Sequence, residues 1–126
     1  MIAANEKFKS DETRKNLRVV FEEGESILPG IQNAMNQHKL KEAEIKEGSG
    51  KIKKAKIGYI DNNKKQEKVF EDFEPLRMNG TMKLSFGDLY GEVYLSFIQN
   101  KEPVKGQMLS GIADDDLEII MEVQKK

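Results

Sequence analysis

From Glu92 to Phe97 apolar and polar side chains alternate: Val93, Leu95 and Phe97 are apolar, and Glu92, Tyr94 and Ser96 between them carry polar groups. Strand side chains point alternately to two faces, so this stretch predicts a strand with one face in a core and the other bearing polar groups in phase. The chain then turns and returns through "KEPVKGQML", which puts Gln107 on the second arm of a hairpin. The same alternation recurs upstream. "LRVVF" at 17–21 reads as a first strand and "EAEIKEG" as a short one, while "KIKKAKIGYID" begins as a turn and becomes a strand near Ala55. "EKVFEDF" alternates until Pro75 breaks it or marks an edge. "LRMNGTMKLSF" sets Leu76, Met78, Met82, Leu84 and Phe86 against Arg77, Asn79, Thr81 and Lys83, and "LEIIMEV" from Leu117 closes the chain. Asp61-Asn62-Asn63 and Gly87-Asp88 are tight-turn signals.

Only one segment changes period. In "EEGESILPGIQNAMNQHKL" the residues Ile27, Ile31, Ala34, Met35 and His38 fall at helical spacing. Ser26 stands where a cap belongs, and Pro29 lies in the first turn, where its missing N–H costs little. The expected fold is therefore an α+β (mixed α/β) domain: a largely antiparallel mixed sheet of six to seven strands, with a helix packed on one side and a partly wet polar face on the other. Residues 1–16 are polar and aperiodic and are expected as a solvated tail, with a single domain over 17–126.

Composition narrows the chemistry. A chain of 126 residues suffices for one core without metal or disulfide support. The absence of cysteine excludes a disulfide scaffold, a thiolate zinc site and a cysteine nucleophile. No apolar run approaches the roughly 20 residues that span a bilayer, and "MIAANEKFKSDETRK" lacks a signal-peptide core, so a cytoplasmic protein without membrane association is expected. Charged residues make up 34% of the chain, but 21 Lys+Arg nearly cancel 22 Asp+Glu. Attraction to nucleic acid must therefore be local.

The order of these segments resembles the plants-and-prokaryotes-conserved (PPC) domain family, from about Leu17 to Val123. "LRVVFEEGESILPGIQNAM" is similar to its opening strand, Gly-Glu entry and first helix. "GSG" followed by "AKIGYID" resembles its Gly-x-Gly turn and following strand, "EPLRMNGTM" its Pro-Leu segment, and "VKGQMLSG" its Gly-Gly-His signature region. The resemblance implies a mixed sheet with packed helices, commonly assembled as a homotrimer. In plants the domain accompanies AT-hook DNA-binding motifs, from which stand-alone microbial members take the label "putative DNA-binding protein".

Many microbial members carry His-x-His on the strand corresponding to "EVYLSF" and a third histidine in "GGH", a set suited to zinc. Aligned through "KGQ", the third is Gln107 here; the first two are Glu92 and Tyr94, or Tyr94 and Ser96 with the turn counted one step differently. No histidine remains in that set, glutamine is a poor zinc ligand and tyrosine must ionise to be a good one, so no metal or other cofactor is expected. Glu92, Tyr94, Ser96 and Gln107 stand instead as a candidate polar pocket.

Other constellations are weaker. Ser96 would need His38 to arrive from the helix to form a triad. Asp114-Asp115-Asp116 lacks the ligand spacing of a calcium loop and reads as a solvated connection, and "GSG" lacks the lysine and helix start of a phosphate loop. Lysines concentrate between Lys46 and Lys68, with Lys51, Lys53, Lys54 and Lys56 the candidate nucleic-acid patch. There is no AT-hook, and Arg14, Arg18 and Arg77 are the only arginines. The expected function is an oligomeric, homotrimeric, non-enzymatic binding or regulatory module whose DNA contact, if any, is weak and non-specific, with a protein partner as another possibility. The alternative is a metal-independent small-molecule site or enzyme using Glu92, Tyr94 and Gln107, with glutamate as base and tyrosine as donor.

Overall fold

The computed structural model of the chain describes residues 4–10 and 15–123. In chain order the elements are β1 (Ala4–Ser10), β2 (Lys15–Phe21), α1 (Ile27–Gln37), β3 (Glu42–Ser49), β4 (Ile52–Asp61), β5 (Lys64–Phe73), β6 (Arg77–Ser85), β7 (Asp88–Gln99), β8 (Glu102–Ala113) and β9 (Glu118–Val123). All strands join one sheet in the order β1-β2-β9-β3-β6-β7-β8-β4-β5. Every pairing among the described residues is antiparallel, so the sheet is not mixed.

Residues 15–123 hold eight strands, not six to seven, because each long hairpin contributes two full strands. The ninth is β1, inside the stretch expected as a solvated tail. Ala4–Ser10 pairs residue by residue with β2. An edge strand is held through its backbone on one side only, so it needs no apolar alternation to betray it.

Local geometry explains the hairpins. Asn62-Asn63, Phe86-Gly87 and Asn100-Lys101 all have positive φ at both positions. That is the type I′ pattern, whose twist matches the right-handed twist of the flanking strands. The structure moves the ends of the "LRMNGTMKLSF" stripe: β6 covers only Arg77–Ser85, so Leu76 precedes the strand and Phe86 lies on the turn, both exposed. Met78 and Met82 are buried as the alternation predicts.

The inner face of the sheet carries the core. Leu17, Val19 and Phe21 of β2, Ile119 and Met121 of β9, Val93, Leu95 and Phe97 of β7 and Met108 of β8 are all buried. α1 lays Ile27, Ile31, Ala34 and Met35 on this face. It approaches closely at Gly30, where a β-carbon would stand 2.4 Å from the Phe21 ring. Ser26 has extended cap geometry, but its side chain makes no cap hydrogen bond. Its carbonyl accepts the Gly30 N–H at 3.1 Å. At the other end His38 is the C-cap and donates its backbone N–H to the Ala34 carbonyl at 3.1 Å.

The sheet also curls. Phe97 of β7 stacks on Phe73 of β5, with centroids 3.9 Å apart and planes 18° apart, and meets Phe70 edge-on at 5.2 Å. Strands β8 and β4 lie between β7 and β5 in the sheet, so these rings meet only because that half folds over its own inner face.

Candidate functional site

The outer face answers the question that the alternation of β7 poses. Tyr94 has Asn79 of β6 and Gln107 of β8 as its cross-strand neighbours. Gln107 in turn faces Gly58 of β4, and Gly58 faces Glu67 of β5. Directly opposed residues share a face, so one row crosses five strands. Gly58 raises no side chain in that row, and Leu109 leans over it: a β-carbon there would stand 3.3 Å from Leu109 Cδ1. Beside it lies an open concavity of about 450 Å³, walled by Tyr94, Gln107, Leu109, Ile60, Lys65 and Glu67. Its floor is tightly packed, for a β-carbon on Gly106 would lie 2.4 Å from the Gly58 carbonyl oxygen.

The expected pocket residues divide. Tyr94 and Gln107 line the concavity; Glu92 and Ser96 do not. Glu92 is nonetheless coupled to it, because the Tyr94 hydroxyl donates a short hydrogen bond to Glu92 Oε1. That bond, ahead of desolvation and the carboxylate's charge, holds the Tyr94 phenol above its usual pKa. Ser96 lies two pairs further along, between Arg77 and Lys105. His38 belongs to the helix on the opposite face, so the sheet stands between them and no Ser–His couple forms. Ile60, Lys65 and Glu67 escaped the sequence reading. The available signal was Gly58 itself, since a glycine inside a strand marks a close approach or a gap.

The zinc set of the resembling proteins does not fit these residues. Tyr94 keeps its proton and spends it on Glu92, the carboxylate is engaged by that hydroxyl, and Gln107 offers only a neutral amide. Among the described residues no group of three or more His, Cys, Asp or Glu side chains is placed to hold a metal. Purified protein is expected to carry no stoichiometric zinc and to gain no thermal stability when zinc is added, because a ligand selective for the native state would raise the melting temperature. Elemental analysis giving about one zinc per chain, lost in Glu92→Ala, would overturn this and restore a metal-dependent reading.

The candidate lysines are distributed by a bulge. The register of β4 shifts between Ile52 and Lys54, so the adjacent Lys53 and Lys54 are both exposed. Lys56 shares the outer face with Val69, its partner on β5. Several of these cations already have acids. Lys53 Nζ donates to Glu23 Oε2 at 2.7 Å, the bond that chiefly raises its pKa. Lys56 lies 3.8 Å from Glu67, and Lys46 lies 3.3 Å from Glu44 and 3.9 Å from Glu122. Lys51 and Lys54 are exposed beside them. Asp114-Asp115-Asp116 is the turn from β8 to β9, with the Asp115 N–H donating to Asp114 Oδ1 at 2.8 Å. No helix among the described residues is long and apolar enough to cross a membrane.

Comparison with known proteins agrees with this architecture. A family model described as the Plants and Prokaryotes Conserved (PCC) domain matches residues 8–123. Among curated proteins none matches the chain. Several solved structures are similar. A plant- and prokaryote-conserved (PPC) protein from Pyrococcus horikoshii is 22% identical, with TM-score 0.69 over 100% of this chain and 85% of that one. A protein described as a "putative DNA binding protein" from Bacteroides thetaiotaomicron is 14% identical, with TM-score 0.73 over 96% of this chain and 85% of that one. A metal-containing protein from Archaeoglobus fulgidus is 16% identical, with TM-score 0.74 over 99% of this chain and 86% of that one. At these identities the likeness establishes the fold.

Proposed function

The chain belongs to the Plants and Prokaryotes Conserved (PCC) domain family, and from that premise we propose that it is an oligomeric, non-enzymatic binding module assembled as a homotrimer. The observation that carries this reading is a set of exposed apolar side chains on neighbouring strands: Ile60, Val69, Tyr94, Ile98 and Leu109 on β4, β5, β7 and β8. They stand among charged side chains such as Lys56 and Glu67, whereas β2, β9 and β3 carry the ion pairs of Arg18 with Glu118 and of Lys46 with the buried Glu122. Single exposed apolar residues are ordinary, but several on neighbouring strands form a patch of the kind that contacts another protein. A second copy is the occupant that every solution of the protein contains. Light scattering at micromolar concentration is expected to give about three times the 14.4 kDa of one chain. A monomer mass would sink the reading.

DNA contact is a lesser part of the proposal. Two similar structures carry the "putative DNA-binding" description, which is said of those proteins. Here the supporting feature is the exposed lysines Lys51, Lys53, Lys54 and Lys56, tempered by the acids beside Lys53 and Lys56. Contact of this kind is electrostatic and sequence-independent. A second reading, a metal-independent small-molecule site, rests on the concavity over Gly58 between Tyr94 and Gln107. Gly58→Val fills that floor, and abolition by this variant of a saturable ligand effect would put the second reading first. Acid–base chemistry there is weakened by the Tyr94–Glu92 hydrogen bond, which occupies both of the groups that would act.

A further inference from the structure

Phe86 sits at the tip of the β6–β7 hairpin with its side chain fully exposed, at a relative accessibility of 104%. Its φ is 53° and that of Gly87 is 84°. These are the two central positions of a type I′ turn, which Asn, Asp and Gly suit and a bulky side chain does not. Neither the turn nor the core therefore uses the ring. The tip is tethered all the same: Gln32 Nε2 on α1 donates to the Gly87 carbonyl at 2.5 Å. A phenyl ring is thus displayed to solvent on an anchored turn, followed immediately by the exposed Asp88.

The same chain carries a cavity that matches this tip. A groove of about 490 Å³ runs between the start of α1 and strands β4 and β8. Leu28, Pro29, Val69, Leu109 and Ile112 give it apolar walls, and Lys54 and Lys56 stand among its lining residues. Pockets of a few hundred Å³ with apolar walls and a few charged groups are the usual size and character for an inserted side chain or small ligand. Val69 and Leu109 are also among the exposed apolar side chains of the outer face, so the groove borders the surface assigned above to assembly.

We propose that Phe86 of one copy inserts into this groove of the next copy, with Asp88 set against Lys54 and Lys56. The inference rests on the assembly reading and adds the contact that would build it. The occupant is a second copy because both halves of the match are on this chain: an aromatic ring for apolar walls, and an acid beside the ring for lysines beside the groove. Lys56 already lies 3.8 Å from Glu67, but that pair is exposed and holds the lysine only weakly. A tip-to-groove contact is heterologous, each copy giving its tip to one neighbour and its groove to the other. Such contacts close into rings when the rotation permits, and a trimer is a three-membered ring. The tether to Gln32 reduces the ordering cost of insertion.

The chain has no cysteine, which makes the contact directly testable. Full-length Phe86→Cys and Leu109→Cys variants, co-expressed and oxidised mildly, are expected to form a disulfide joining one chain of each kind. In parallel, light scattering on Phe86→Ser is expected to show dissociation at concentrations where the parent chain is assembled, with the dissociation constant raised at least about 10-fold, as for truncation of an aromatic anchor. Because Phe86 is fully exposed, circular dichroism should show an intact fold. Asp88→Lys should weaken assembly in the same direction, and Lys54→Asp should restore it. If Phe86→Ser remains fully assembled and the mixed cysteines do not couple, the tip-to-groove contact is wrong while the assembly reading stands. If the parent chain is itself a monomer, the assembly reading fails and takes the contact with it.

Discussion

Phe97→Ala is expected to cost about 3–5 kcal/mol of folding free energy, the range for removing a fully buried aromatic side chain. The value should fall high in that range because the ring does more than fill space. It is 1% exposed and lies between Phe73, stacked on it, and Phe70, meeting it edge-on. Phe70 and Phe73 are the only buried residues of β5, an edge strand that is otherwise exposed. Losing Phe97 therefore opens a cavity and releases the curl that draws β5 over the core. A domain of this size has a total stability of about 5–15 kcal/mol, so the variant should be largely unfolded in mild denaturant. Urea titration at fixed protein concentration measures the effect as a fall in midpoint at unchanged slope. Phe97→Leu, which keeps most of the volume, should lose clearly less. An Ala variant within about 1 kcal/mol of the parent would show that the curl is held elsewhere.

Duplex DNA binding, measured by fluorescence anisotropy, is expected to fall about a thousandfold between roughly 20 and 150 mM salt if about four phosphates are contacted, since the slope of log affinity against log salt is near −0.9 per contact. Lys51, Lys53, Lys54 and Lys56 are the cations proposed for those contacts, and their neighbours reduce what they offer: Glu23 binds Lys53, and Glu67 lies beside Lys56. With a formal net charge of −1, the rest of the chain supplies no long-range attraction. Lys51→Glu combined with Lys54→Glu should remove what binding there is at low salt and flatten the slope. Assembly would add no base readout, because the chain has only three arginines. Binding to one sequence that survives physiological salt and both substitutions would reveal a recognition surface outside this segment.

Much of the candidate site was legible residue by residue and little of it pair by pair. The alternation of β7 separates Val93, Leu95 and Phe97 from Glu92, Tyr94 and Ser96, and the burial follows that division. That Glu92, Tyr94, Ser96 and Gln107 include no histidine is likewise a matter of reading letters. What escaped was company. Gly58 and Glu67 complete the row of Tyr94 and Gln107, though Glu67 lies 40 positions from Gln107 in the chain. The lysine patch looked like a cluster of one sign because its acids are remote: Lys53 meets Glu23 across 30 residues.

By itself the sequence determined most local elements: where the helix and eight of the strands run to within a few residues, which faces are apolar, roughly where the chain turns, and that cysteine ligands are missing. Each of these is written within a few neighbouring residues, because side-chain period and turn chemistry act at that range. The tertiary structure alone decided the order β1-β2-β9-β3-β6-β7-β8-β4-β5, the recruitment of the polar Ala4–Ser10 as an edge strand, and the exposure of Leu76 and Phe86 outside the stripe they complete on paper. It also decided that Tyr94, Gln107 and Gly58 line one concavity and that an apolar groove lies between α1 and β4. These depend on register between strands far apart in the chain, set by closing a common core, and such register leaves no periodic trace in any one segment.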